Sequence, residues 1–184
     1  FSCHPVNLFA TRQDVISADW PGAWAAELAK LYPGQCPFTV LNGCCGNLNP
    51  WPPMTADFKP DHRRMGRNLA DMAGKVMARM KYAPAEKLDW RMRLVPLPYR
   101  EIPEARRKAV DRLLKRHPRP VWNKDRSAVD TDWFLAASTR SIDFCRKRMP
   151  KFLYEIQVFR VGDAFIVALP GEPFVEGQLA IKTQ

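Results

Sequence analysis

The sequence predicts an α/β fold, a mixed β-sheet flanked by helices, and three observations carry that expectation. Segments with a two-residue apolar alternation interleave with segments whose apolar residues recur every three to four positions, the pattern of strands alternating with helices. Two apolar runs stop in polar, glycine-containing turns, at Asn42 and at Gly171, as strands do in such sheets. The 184-residue chain is 46% hydrophobic and 26% charged, which suits a globular domain with a core of its own. None of its apolar runs is long enough to cross a bilayer. Residues 1–184 are read as part of one domain, and an incomplete part. Phe1 already stands inside an apolar phrase, and 172–184 read as the opening turns of a helix that has no closing cap. A targeting segment would lie outside this stretch, so the compartment stays open.

Taken in order, residues 21–31 read as a helix. Asp19 stands near its N-cap, Pro21 in its first turn, and Pro33-Gly34 closes it. The apolar run 38–41 reads as a short buried strand. Residues 42–60 hold Gly43, Gly46, Pro50, Pro52, Pro53 and Pro60, which makes them a long loop, a kind of segment that often carries function. The clearest helix is 61–82, with Met65, Leu69, Met72, Ala73, Val76 and Met80 on one face. These methionines read as core filler. Residues 88–97 alternate as a strand before Pro98 and Pro103. Helical patterns at 104–116 and 129–148 are separated by the basic linker His117-Pro118-Arg119-Pro120. A hairpin follows: 152–160 alternates, Gly162-Asp163 turns, and 164–169 returns as an apolar strand. It ends in Pro170-Gly171-Glu172-Pro173, where a last helix begins.

The net charge of +10 gathers in 63–81, 100–126 and 140–151, mostly on helical patterns around apolar stripes. Nucleic-acid binding would need a recognisable module beside such charge, and none is present, so nucleic acid is not expected as a partner. A solvated basic helix face accounts for the charge. An anionic membrane surface would also attract it, which leaves a peripheral contact open. The five cysteines, Cys3, Cys36, Cys44, Cys45 and Cys145, contain no CxxC pair. A structural zinc site wants such pairs, and a bond between the neighbours Cys44 and Cys45 would be strained. They read as small residues buried at a strand end.

The stretch "LNGCCGNLNPW" at 41–51 poses the chemical question, since an apolar run stops there in glycines, asparagines and two cysteines. Its glycine spacing fits neither a dinucleotide fingerprint nor a P-loop, and the chain has no GxSxG elbow. A third apolar start, Phe1-Ser2-Cys3, runs into His4. If the three turns converge at strand ends, His4 and Glu172 can share a metal, since imidazole and carboxylate both hold zinc. Each also has an ordinary role, a structural histidine and a carboxylate at a helix start.

Taken together, "FSCHPV", "ISADWPG", "LNGCCGNLNP", "MGRNLADMAGKVM" and "VGDAFIVALPGEPF" resemble the neutral/alkaline non-lysosomal ceramidase family. The likeness is to bacterial ceramidase-like relatives more than to proven ceramidases. It runs along nearly the whole chain and is least specific over 98–150. The family is a zinc-dependent amidase that hydrolyses the N-acyl bond of ceramide. The resemblance therefore implies Zn2+ as cofactor, a small-molecule or lipid amide as substrate, and a secreted or periplasmic location. The family's metal is held by two histidines, a glutamate and a tyrosine. His4 matches the second histidine and Glu172 the glutamate of the Pro-Gly-Glu turn, while the other two ligands would lie before Phe1 and after Gln184. "GCCGNLNP" falls where the family has a Gly-Asp-x-Ser-Pro turn with an active-site serine. Asn47 stands at the aspartate position and Asn49 at the serine position. Asparagine is no nucleophile or general base, but it can donate a hydrogen bond to an oxyanion or hold a substrate carbonyl. Asn49 and Asn47 are thus the catalytic candidates, with Gly46 and Asp19 beside the substrate. Asp19 doubles as a helix cap. The alternative is a non-catalytic ligand-binding relative that keeps the fold and lacks the serine.

Overall fold

The computed structural model describes residues 1–9, 14–34, 37–52, 54–55 and 57–184, so Cys36 and Pro53 lie outside the described residues. Along the chain run α1 (Asp19–Leu31), α2 (His62–Met77), β1 (Leu88–Pro98), α3 (Glu104–Arg116), α4 (Thr131–Arg148), β2 (Lys151–Val161), β3 (Ala164–Ala168) and α5 (Val175–Lys182). The α/β class is as the sequence predicts, and the sheet is three-stranded, antiparallel, in the order β1-β2-β3. The backbone divides into two units. One comprises Phe1–Leu88, Val161–Ala164 and Leu169–Gln184, the other Asp89–Arg160 and Phe165–Ala168.

The first unit is built on α1 packed against α2. Asp61 starts α2, its carboxylate accepting from the N–H groups of Arg63 and Arg64 at 2.9 and 3.0 Å. Such a cap satisfies two donors that the first turn leaves without helical partners. The buried face of α2 is made by its smallest residues, Gly66 and Ala70. A Cβ on Gly66 would stand 2.6 Å from the Ala23 Cβ and 2.7 Å from the Ala23 carbonyl carbon, so the two backbones meet here. This corrects the inward stripe expected for 61–82. Met65 and Leu69 are half-buried, but Met72, Val76 and Met80 are 64, 61 and 51% exposed, because α1 docks on the small residues instead. Gly66→Ala should lower stability by about 1–3 kcal/mol through overpacking, more than the ~1 kcal/mol that alanine adds in helix propensity. Urea unfolding measures it.

Trp20 is the fully buried side chain at the centre of this unit. Its ring meets Phe1 edge-on with centroids 5.2 Å apart, and its indole N–H donates to the His4 carbonyl at 3.2 Å. A buried indole needs such a partner, and here the bond fixes the backbone that carries His4.

In the second unit α3 packs on α4 through Val110, Ala136 and Thr139. Salt bridges from Arg107 to Asp143 at 3.1 Å and from Arg140 to Asp111 at 2.6 Å cross the same pair. The sheet register is visible in its rings: Trp90 faces Phe159 at 6.4 Å and Tyr99 faces Phe152 at 6.5 Å, so β1 and β2 run in opposite senses.

The strand expected at 38–41 is absent, and so is any strand at 1–4. These segments are joined by single bonds, not by a ladder: the Gly43 N–H donates to the Phe1 carbonyl at 2.8 Å, and the His4 N–H to the Leu48 carbonyl at 2.8 Å. With the Asn42 side chain bonding the Cys3 backbone between them, no regular pairing forms.

Candidate functional site

Three segments of the first unit meet, and they are the three that the sequence singles out: 1–4, 42–49 and 171–178. The 42–49 loop lies between the other two. On one side Asn42 bonds the Cys3 backbone twice, Oδ1 accepting from its N–H at 3.2 Å and Nδ2 donating to its carbonyl at 3.0 Å. On the other side the Gly46 N–H donates to the Pro173 carbonyl at 3.0 Å. Asn47 completes the brace. Its Oδ1 accepts from the Val175 N–H at 3.0 Å, and its Nδ2 donates to both Glu176 oxygens at 3.2 and 3.0 Å. It thereby serves the first turn of α5, whose N-cap, Phe174, offers no side-chain bond. Gln178 adds a second tie, its Oε1 accepting from Ser2 Oγ at 2.8 Å and from the Cys44 N–H at 2.9 Å.

This brace brings His4 to Glu172. The imidazole Nε2 stands 3.9 Å from Glu172 Oε2, with the histidine side chain 20% exposed and the glutamate 67% exposed. Residues 168 positions apart (172 − 4) thus face each other through an unladdered contact of loops. As an ion pair so open to water it would stabilise the fold little. As a donor pair, one side backed by protein and the other open, it has the character of a ligand-binding corner.

Behind His4 sits Cys45, its Sγ 4.0 Å from Nδ1 and 3.5 Å from the Asn42 amide nitrogen. Cysteine, histidine and glutamate in line suggest a nucleophile, a base and its orienter. The electrostatics oppose that reading. Burial, reinforced by the negative charge of Glu172, pushes the Cys45 thiol up, the reverse of what activates a thiolate. Cys3 is pushed from 9.0 to about 11, first by burial and then by Cys45 and Asp19. Cys3, Cys44, Cys45 and Cys145 are all free thiols.

A test follows. Cys3 and Cys45 should react with iodoacetamide more slowly than the half-buried Cys44 and Cys145 at about pH 8, where only a thiolate attacks. Mass spectrometry of the alkylated peptides reads the order. Because the folded state holds the Cys3 proton more tightly than the unfolded chain, this stabilisation is full below about pH 9. It is lost as pH rises towards 11.

The remaining candidates divide. Asn49 is exposed, and its side chain makes no hydrogen bond to the described residues, so it is free to meet a ligand. Asn47 and Gly46 are braces: both ends of the Asn47 amide and the Gly46 N–H already have partners. Asp19 is 4% exposed, and its carboxylate accepts from Asn7 Nδ2, the Trp20 N–H and the Leu8 N–H at 2.7–2.9 Å. That anion organises the entry to α1 and has no free face for a substrate. Asn42, Gln178 and Glu176 were not foreseen. Asn42 alone had a signal, its place directly before the glycine-cysteine turn.

Among the described residues no group of three or more His, Cys, Asp or Glu side chains is arranged to hold a metal ion. His4 and Glu172 offer two ligands. No helix among the described residues is long and apolar enough to cross a membrane. Comparison of the chain with protein-family models, with curated proteins and with solved structures found no match.

Proposed function

We propose that the protein is a zinc-dependent hydrolase of an amide-type bond, acting on a small-molecule or lipid N-acyl substrate. The observation that carries the reading is the His4–Glu172 pair, whose 3.9 Å separation lies within the span of two ligands on one ion, each reaching it at about 2.0–2.2 Å. Imidazole nitrogen and carboxylate oxygen are both zinc donors, so the pair fits the metal in chemistry, and a tetrahedral site, whose donors stand roughly 3.4 Å apart, needs it to close by about half an ångström. Bound there, zinc would acidify water and polarise a scissile carbonyl.

The chain's own residues supply the rest. Trp20 and Leu48 hold the His4 backbone through the indole–carbonyl and amide–carbonyl bonds. Asn42, Asn47 and Gln178 hold the loop between the two ligand segments. Asn49, exposed and without a partner among the described residues, would donate to the substrate carbonyl as charge develops on its oxygen. The resemblance to the ceramidase family supports the same reading from the sequence side.

The test is hydrolysis of N-acyl substrates with a chelator added and zinc then restored. Turnover should vanish and return. Asn49→Ala should lower it by roughly ten- to a thousandfold, the scale of losing one oxyanion donor. Chelator-insensitive turnover, or wild-type turnover in Asn49→Ala, would overturn the respective assignment. The asparagine at the serine position favours a second reading, a non-catalytic binding relative, and full metal occupancy without turnover would establish that one.

A further inference from the structure

We propose that the cleft beside the first turns of α2 is a binding site for a neutral small molecule that joins an apolar body to an N–H or O–H donor. The cleft has a volume of about 250 Å3, with Phe1, Pro50, Phe58, Met65 and Leu69 among its walls and Asn7 also lining it. It requires neither His4 nor Glu172, so it stands apart from the metal reading.

Two amides line the cleft, the exposed Asn68 at its rim and the buried Asn7, and it is Asn7 that sets the ligand's chemistry. The residue is 2% exposed, and a polar side chain buried to that degree needs its bonds met. Its Nδ2 donates to Asp19 Oδ1 at 2.9 Å and contacts Met65 Sδ at 3.5 Å. The carboxylate partner fixes which end of the amide is nitrogen, since two oxygens would repel. Oδ1 has no donor among the described residues. It is not sealed in either: among the described residues the fully enclosed polar side-chain atom without a partner is Trp24 Nε1. The Asn7 oxygen is therefore an acceptor without a donor, on a residue that lines the cleft. A lone water would satisfy the oxygen but not the five apolar walls around it.

The rim explains why the ligand is neutral. The Asp61 carboxylate is engaged with the first N–H groups of α2. Arg64 donates to the Lys59 carbonyl at 2.7 Å and lies over the Phe58 ring at 5.6 Å. The mouth thus carries one carboxylate and one guanidinium, whose opposite charges balance, so no net charge there selects a counter-ion. The volume falls just below the range of about 300–1,000 Å3 usual for drug-sized ligands, which suits a short acyl amide.

The experiment titrates the 184-residue chain, with chelator present, with hexanamide and with methyl hexanoate. The two are matched in chain and differ in the N–H donor. Amide chemical shifts of residues around Asn7 and Leu69 report binding. Hexanamide should saturate these shifts and bind about three- to tenfold tighter than the ester, the scale of one hydrogen bond. Leu69→Trp, which fills the cleft, should abolish the response, and Phe58→Ala should weaken it, so that one variant remains informative if the other does not fold. Equal affinity for amide and ester would overturn the donor role of Asn7's partner. Shifts that never saturate, or that survive both variants unchanged, would overturn the site.

Discussion

His4→Ala and Glu172→Ala should each remove bound zinc and N-acyl hydrolysis together. A zinc site needs three or four protein ligands, so losing one of them falls outside the ~10–100-fold loss typical of residues that only orient a ligand. Turnover should drop by more than about a thousandfold, with metal content falling in parallel. Neither variant should unfold the protein, because the pair is an open contact of 3.9 Å with Glu172 largely in solvent. Circular dichroism controls for that, and elemental analysis reads the metal. Glu172→Gln is the finer probe: it keeps the shape, removes the charge, and should still weaken zinc. Retained zinc in both alanine variants would mean that the ion, if any, sits elsewhere.

Gly46→Ala carries the second large effect, and it acts through the backbone. A Cβ at Gly46 would run into the Glu172 carbonyl oxygen and come within 2.8 Å of the Phe174 ring. The oxygen belongs to the main chain and cannot swing away like a side-chain tip. The loop must therefore separate from the turn, breaking the Gly46 N–H bond to Pro173 and moving Glu172 away from His4. The expected cost is about 1–3 kcal/mol of stability, as for other overpacked contacts. The diagnostic result is a loss of zinc affinity larger than the stability loss explains. Asn47→Ala, which removes the ties to Val175 and Glu176 but adds no clash, should show the same direction at smaller size. If Gly46→Ala melted earlier yet bound zinc normally, the loop would be a structural tie with no bearing on the ligand pair.

The sequence was most legible where local chemistry decides structure. The helix at Glu104–Arg116 needs nothing beyond its amphipathic pattern, and the hairpin around Gly162-Asp163 needs only alternation and a turn pair. It was least legible where distant chain decides. Residues 38–41 have the composition of a strand, but pairing is a property of the neighbour, and the neighbour here is the irregular 1–4 segment held by Asn42. The buried face of α2 departs from its apolar pattern for a related reason. Periodicity marks apolar positions, yet α1 approaches where the side chains are smallest, at Gly66 and Ala70.

The site divides along the same line. That His4 and Glu172 meet was legible because each ends an apolar run in a turn. What holds them was not, because Gln178 and Glu176 act across more than 125 positions on the loop at Cys44 and Asn47. Asn47 and Asn49 look alike in sequence, two residues apart in one turn. The fold separates them, one bound at both ends to α5 and the other open to solvent.

The most direct test of the central claim is zinc X-ray absorption on the metal-loaded protein, compared with its Glu172→Gln and His4→Ala variants. The account predicts an all-nitrogen-and-oxygen shell at about 2.0–2.2 Å with imidazole scattering, reduced in His4→Ala, and no sulfur at about 2.3 Å. A shell containing sulfur would place the ion on Cys45 or Cys44. An unchanged spectrum in both variants would mean that His4 and Glu172 do not hold the metal.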